Sequence, residues 1–372
     1  MSLTSKLNLL KGNTLNTIRY KALLIIALIL ITTNNTVLAQ AGGRYVYEFM
    51  NLSNSARVSA FGSNFATIDD NDIDLAYSNP SLITNEMHHQ ISLNYLGYFA
   101  GTKAGFISFG HNIKKLGTFV GSLQFINYGT FDATDNTGQE TGTFNASEYN
   151  FVIGWSKPLS DNLRLGVNIK NILSNLESYH SYGIAADVAL NYSNDNKLLS
   201  SSLIFKNMGR QISTYTGSDN EPLHFNIQFG IAKKFEHAPF RLLFLFNNLQ
   251  KWDLKYSDPS HEGEVDPFTG EVKTSSKAWD ITDNTLRHII LGVEFIPGKG
   301  KFMVRFGYNY RRQQEMKIAN RSGLVGFSFG VGLKVYKFKI GYSRTSYHLS
   351  GGTNTISIGT NLDSFFQNNN NK

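Results

Sequence analysis

The sequence predicts an all-β protein, a transmembrane antiparallel β-barrel of about fourteen strands. Three observations carry this. Two-residue alternation of apolar and polar side chains recurs from about residue 88 to the end. The connections between alternating segments sort by parity, tight then long. An export leader opens the chain, and no later apolar stretch is long enough for a spanning helix.

The leader comes first. Lys6, Lys11, Arg19 and Lys21 precede the apolar run "ALLIIALILI" at 22–31, and "VLAQ" places Val37 and Ala39 at the small-residue positions of a cleavage site. Ten apolar residues are too few for a transmembrane anchor, which needs roughly 20. Residues 1–39 therefore read as a signal peptide cleaved near Ala39, which places the mature chain in the outer membrane. Its removal lowers the formal charge from +7 to +3, because it carries four basic residues and no acidic ones. That balance gives no reason to propose nucleic acid. There are no cysteines, so disulfides and thiolate metal sites are excluded. Charged residues make up 17% of the chain, below the usual quarter, beside 27 Phe, 18 Tyr and 33 Gly.

Residues 40–86 carry small residues and turn formers without sustained alternation and read as a separate N-terminal segment. The barrel is expected over 87–366. Its strands fall near 88–98, 103–111, 116–126, 148–157, 162–173, 180–192 and 197–207 in the first half. The second half gives 222–234, 238–249, 287–296, 301–311, 323–335, 336–345 and 353–362. "LHFNIQFGI" at 223–231 illustrates the pattern: Leu223, Phe225, Ile227, Phe229 and Ile231 share one face, read as lipid-facing. The even-numbered connections, such as "NIKKL", "KPLSD" and "PGKG", are tight, whereas 127–147, 208–221, 250–286 and 312–322 are long or irregular. Short turns on one side and long loops on the other are the mark of a transmembrane barrel. The last strand brings apolar and aromatic residues near the C-terminus, and "QNNNNK" at 367–372 is a polar tail expected to be disordered.

Few stretches suggest chemistry. "GFSFG" at 326–330 matches the G-x-S-x-G elbow, but Ser328 sits inside an alternating strand instead of a strand-to-helix turn. "IDDNDID" offers Asp69, Asp70, Asp72 and Asp74; a calcium loop is conceivable, and a solvated turn fits the spacing better. His88 and His89 begin the first strand, where adjacent residues project to opposite faces and make a poor metal site. No paired catalytic carboxylates, phosphate loop or metal-ligand cluster is legible, so neither an enzyme nor a cofactor is expected. The 250–286 connection holds Trp252 and Trp279 among eight acidic residues and four lysines. Partner contact and anchoring at the membrane rim both fit it.

"GGRYVYEFMNLSNSARVSAFGSNFATIDDNDIDLAYSNPSLI" at 42–83 and "HAPFRLLFLFNNLQKWDLKY" at 237–256 resemble the PorQ family of the type IX secretion system of Bacteroidetes. The likeness continues in "SYGIAADVALNY" at 181–192, "LRHIILGVEFIP" at 286–297 and "SGLVGFSFGVGLKVYKFKIGYSRTSYHLSGG" at 322–352. That family is similar to PorV and to FadL-like transporters, fourteen-stranded barrels with an N-terminal hatch. The resemblance implies that 40–86 is a hatch. Asn79, Pro80 and Ser81 stand where FadL-type hatches carry Asn-Pro-Ala, with Ser81 departing. It further implies a non-enzymatic role in the cargo attachment complex, with PorZ, PorU and PorV as partners beside outer-membrane lipid and lipopolysaccharide. The outward loops would dock PorZ, with Trp252, Asp253 and Trp279 as candidate contacts. Two alternatives remain: transport of hydrophobic small molecules past the hatch, and a barrel lipid hydrolase, which needs a Ser and a His to meet on one outward face.

Overall fold

The computed structural model describes residues 45–366 except 64–66, 218–219, 256–275, 299, 317–322 and 349–350. The expected signal peptide at 1–39, its cleavage near Ala39, and the tail at 367–372 lie outside the described residues.

Fourteen strands follow in chain order among the described residues. They are β1 Gln90–Gly97, β2 Lys103–Ile113, β3 Gly117–Thr134, β4 Glu140–Pro158, β5 Leu163–Leu176, β6 Tyr179–Ser193 and β7 Leu199–Ser213. Then come β8 Asn226–Lys234, β9 Phe240–Phe246, β10 Ile289–Phe295, β11 Phe302–Asn309, β12 Phe327–Val335, β13 Phe338–His348 and β14 Gly351–Asn361. Each pairs antiparallel with its neighbours in sequence, and β1 pairs with β14 from Gln90↔Asn361 to Gly97↔Asn354. The sheet is a closed barrel, so no row of unpaired backbone groups is left at an edge.

Alternation sorts the faces. In β12, Ser328, Gly330 and Gly332 are buried in the lumen while Phe327, Val331 and Leu333 are exposed. Leu93, Phe109, Ile153, Phe244, Phe306 and Ile358 likewise stand exposed on the outside. Leaving such side chains in water forfeits about 1.5–3 kcal/mol each, so this outer band belongs in hydrocarbon. No helix among the described residues is long and apolar enough to cross a membrane. The wall is a transmembrane β-barrel.

Several expected boundaries move. The stretch 127–147, read as a long loop, continues β3 and β4 as a two-stranded ribbon that turns only at 135–139. Phe131 and Phe144 pair across this ribbon, but both faces there meet solvent, so the sequence shows no one-sided alternation. β7 likewise runs on to Ser213. The wall is therefore uneven. β3 and β4 have 18 and 19 residues, whereas β9 and β10 have 7 each. The excess lies at the end carrying the long connections, because the tight turns hold the other ends level.

The low side is covered by helices α2, Lys277–Arg287, and α3, Tyr310–Met316, within connections that the sequence left as irregular. Leu223 is a second correction. Strand β8 begins only at Asn226, and Leu223 is buried beside Val46 through an isolated parallel bridge instead of facing lipid. The C-terminal aromatics also differ: β14 stops at Asn361, and Phe365 and Phe366 lie in the helical turn α4, Asp363–Phe366.

The lumen is filled. The described residues of 45–89 run through it as 3-10 turns and one short helix, α1, Ala56–Ala60. Phe49, Met50 and Tyr77 pack against Leu96, Phe106 and Ile126 of the wall. Phe61, Leu75 and Leu82 pack against Leu243, Leu245 and Ile290. The barrel thus has an apolar inner core as well as an apolar exterior, and the N-terminal segment supplies half of it.

Candidate functional site

The inner segment starts at the end of the long connections, where Val46 N donates to Pro222 O at 3.1 Å. It then descends. Ser55 caps α1 by accepting from Val58 N at 3.3 Å, and α1 is fastened to the wall by Ser59 Oγ to Thr345 Oγ1 at 2.9 Å and Ala56 N to Ser357 Oγ at 2.7 Å. Backbone approaches the wall so closely that side chains are excluded. A Cβ on Gly307 would stand 2.2 Å from the Phe61 carbonyl carbon, and one on Gly166 would stand 2.1 Å from Ser81 N. These lumen-facing glycines, which look like weak strand residues in the sequence, are contact points.

Asn79, Pro80 and Ser81 sit at such a point, fully buried. Asn79 caps the 3-10 turn Pro80–Leu82: its Oδ1 accepts from Ser81 N at 3.1 Å and from Ser81 Oγ at 2.5 Å. Its Nδ2 donates to Ser202 Oγ of β7 at 3.0 Å. Pro80 suits the first position, where its missing N–H would have no partner. Ser81, the departure from the Asn-Pro-Ala pattern, adds a bond to the cap.

The acidic run is not a solvated turn. Arg57 of α1 binds Asp70 at 2.6 Å and Asp72 at 2.7 Å and reaches Glu294 of β10 at 3.4 Å. Arg241 of β9 bridges Glu294 at 2.5 Å and Asp70 at 3.2 Å, and Arg305 of β11 completes the cluster on Glu294 at 2.8 Å. Asp69 accepts from Ser193 Oγ at 2.8 Å, with Arg164 and Lys197 at 3.8 and 3.9 Å. Asp74 Oδ1 accepts from Asn94 Nδ2 at 2.9 Å. The carboxylates lock the inner segment to the wall. No sequence signal beyond the charge run announced this, since Arg241, Glu294 and Arg305 lie 170 or more positions away.

At the tight-turn end the histidines depart from expectation. His89 has φ 55°, so the chain is not extended there and β1 starts one residue later. The His88 and His89 ring centroids are 3.6 Å apart, and one ring nitrogen each of His88, His89 and His111 lies within 4.8 Å of the others. His89 Nδ1 pairs with Asp363 at 2.6 Å, while His88 Nδ1 accepts from Asn112 N at 3.0 Å. That accepted bond puts the proton of neutral His88 on Nε2, which leaves the ring without a lone pair for a cation. The arrangement is a latch for α4 rather than a ready ligand set.

At the opposite end, Trp252, Trp279 and Ile281 are 62%, 56% and 58% exposed. Trp252 stacks on His288 at 5.5 Å, and its carbonyl accepts from Asn284 Nδ2 at 2.6 Å. Trp279 projects from the first turn of α2, which Ser276 caps. Asp253 folds onto its own turn, accepting from Lys255 N at 3.0 Å. All three predicted residues lie on one connection, Trp252 and Asp253 near its start and Trp279 on α2. Tyr310 Oη of α3 donates to Asp283 Oδ1 of α2 at 2.7 Å, which ties the two helices together, and within α2 Arg287 Nε donates to Asp283 Oδ2 at 2.9 Å. Burial raises the Asp283 carboxyl, but these hydrogen bonds and the Arg287 and Lys255 charges outweigh it and hold the group below its ordinary value. Burial and the same carboxylate push Tyr310 up to about 12. Ser328 is the second residue of β12, which starts at Phe327 after a turn and not at 323 as expected; it is buried facing the lumen and leads into a strand, not into the helix that a nucleophile elbow requires.

The fold and its filled lumen define a plugged transmembrane β-barrel. No family model matches the chain, and no curated protein matches it. Among solved structures it is similar to the toluene transporter TodX of Pseudomonas putida, at 11% identity over 83% of this chain and 97% of that one, with a TM-score of 0.42. A TodX deltaS2 mutant, described as a monoaromatic hydrocarbon channel, gives 11% identity over 83% and 97% with a TM-score of 0.47. A FadL homologue of Pseudomonas aeruginosa gives 11% over 84% and 98%, with a TM-score of 0.41. The fourteen-strand closure itself stands on this chain's own ladders.

Proposed function

We propose that this chain is a non-enzymatic outer-membrane component of the type IX secretion system that docks the surface protein PorZ, within the attachment complex that also holds PorU and PorV. The observation that carries this reading is the combination of a filled, ion-locked lumen with exposed large apolar side chains at the long-loop end. A cylinder closed from β1 to β14 whose inner segment packs on the wall in two apolar clusters is a poor conduit. Exposed aromatics on a capped helix suit protein contact, where Trp is a common anchor. Deleting 258–275 and replacing Trp279 by Ala should release PorZ from the cell surface while the barrel stays in the membrane fraction. PorZ retained on such cells would overturn the reading.

The second reading is a FadL-type outer-membrane transporter of hydrophobic small molecules. It is favoured by the apolar cluster at the long-loop end, where Tyr98, Tyr128 and Tyr215 border Tyr47, Phe49 and Leu223. Lipid copurifying stoichiometrically with the barrel, in the absence of any protein partner, would support it over docking.

A further inference from the structure

At the tight-turn mouth of the lumen a cavity of about 810 Å³ separates the inner segment from the wall of β8–β14. The barrel side presents six cations, Lys234, Arg241, Arg305, Lys334, Lys337 and Lys339, against one carboxylate, Glu294. The inner segment supplies the acids, but they are spent. Asp70 and Asp72 are bound by Arg57, and Asp70 also by Arg241, while Glu294 is shared among three guanidiniums. Asp74 is engaged with Asn94, and Glu86 completes the acidic lining.

The four lysines are different. Among the described residues no carboxylate lies within ion-pairing distance of Lys234, Lys334, Lys337 or Lys339. Lys334 and Lys339 stand directly opposite each other across β12 and β13. Like charges in register repel, and although the Asp70, Asp72 and Asp74 charges reach Lys339 through space, no carboxylate among the described residues closes an ion pair with either lysine. A further donor lacks an acceptor: Arg57 Nε is buried and unpaired, on a residue that lines the same cavity.

We propose that this cavity binds a phosphate group, presented from the tight-turn side of the barrel. Carboxylate is less well matched, because the planar guanidinium forks that would grip it are already bound to Glu294 and Asp70. What remains is a set of separate ammonium points, which suits an anion whose charge is shared over non-bridging oxygens that point in different directions. The phosphate can arrive as a soluble ion or as the headgroup of an anionic phospholipid, since both present non-bridging phosphate oxygens.

The test uses the full processed chain in neutral detergent, titrated calorimetrically with inorganic pyrophosphate. Beads carrying covalently attached phosphatidylglycerol or phosphatidylcholine are compared for retention of the same protein in the same neutral detergent. The combined variant K334Q/K339Q is measured beside K114Q/K115Q, which removes two lysines of the β2–β3 turn; heat-modifiable gel migration shows that each barrel is folded. We expect the wild type and K114Q/K115Q to bind equally, and K334Q/K339Q to bind at least about tenfold more weakly, with the difference shrinking in high salt. Binding of pyrophosphate identifies a soluble ligand, and retention on phosphatidylglycerol alone identifies a headgroup. Binding of neither probe, or equal binding by wild type and K334Q/K339Q, overturns the proposal. Preference for polyglutamate over both phosphates also overturns it, in favour of an acidic protein tail.

Discussion

Glu294 is the residue on which the inner segment depends most. It is fully buried and answers Arg57, Arg241 and Arg305. Glu294→Gln leaves three guanidiniums around a neutral amide, and breaking a buried ion network from one side costs about 3–5 kcal/mol. The expected outcome is new protease cleavage within 45–89 in a barrel that remains closed, read by gel migration and mass spectrometry. Asn79→Ala removes both the cap and the Ser202 bond, a loss of about 1–2 kcal/mol. Ser81→Ala, which restores the Asn-Pro-Ala pattern, should cost about 1 kcal/mol or less, because Asn79 still accepts from the backbone at position 81. Thermal unfolding in detergent should rank the variants in that order. At this scale the sequence is only partly legible. The acidic run is visible, but its partners lie far along the chain. His88–His89 reads as a strand start because nothing local reveals the left-handed backbone at His89.

Among the elements, strands were the most legible, because each must turn one face to hydrocarbon from end to end. Legibility fails where that demand stops. The ribbon formed by the outer parts of β3 and β4 meets water on both faces, so 127–147 reads as loop. Helix α2 hides in a polar, tryptophan-bearing connection, although Ser276 and Asp280 are ordinary first-turn signals. The contact between α2 and α3 predicts a pH response. Asp283 titrates below its ordinary value in the folded protein, so its contribution is complete above the unfolded carboxyl range of about 4 and is lost as the pH falls through the folded value. Hydrogen exchange over 277–287 should therefore stay flat from neutral pH to about 5 after correction for intrinsic rates and accelerate in stronger acid. Asp283→Asn should show the faster exchange at every pH.

For the whole molecule, closure of β1 on β14 and the apolar exterior make detergent or lipid a condition of the native state. Transfer of the processed chain to plain buffer should bring aggregation rather than a monodisperse species, as read by light scattering. Fold class and strand number followed from periodicity and connection lengths alone. The way the lumen is filled did not, since the packing of Phe61 on Gly307 or Ser81 on Gly166 joins positions with no local pattern in common.

The unequal wall makes the rim a step instead of a ring. Strands of 18 and 19 residues are nearly twice the roughly 10 that a bilayer requires, so one flank stands as a parapet while the other drops to a floor of short helices. Under the proposed docking role, a body resting on the floor would abut the parapet, which would set its heading about the membrane normal.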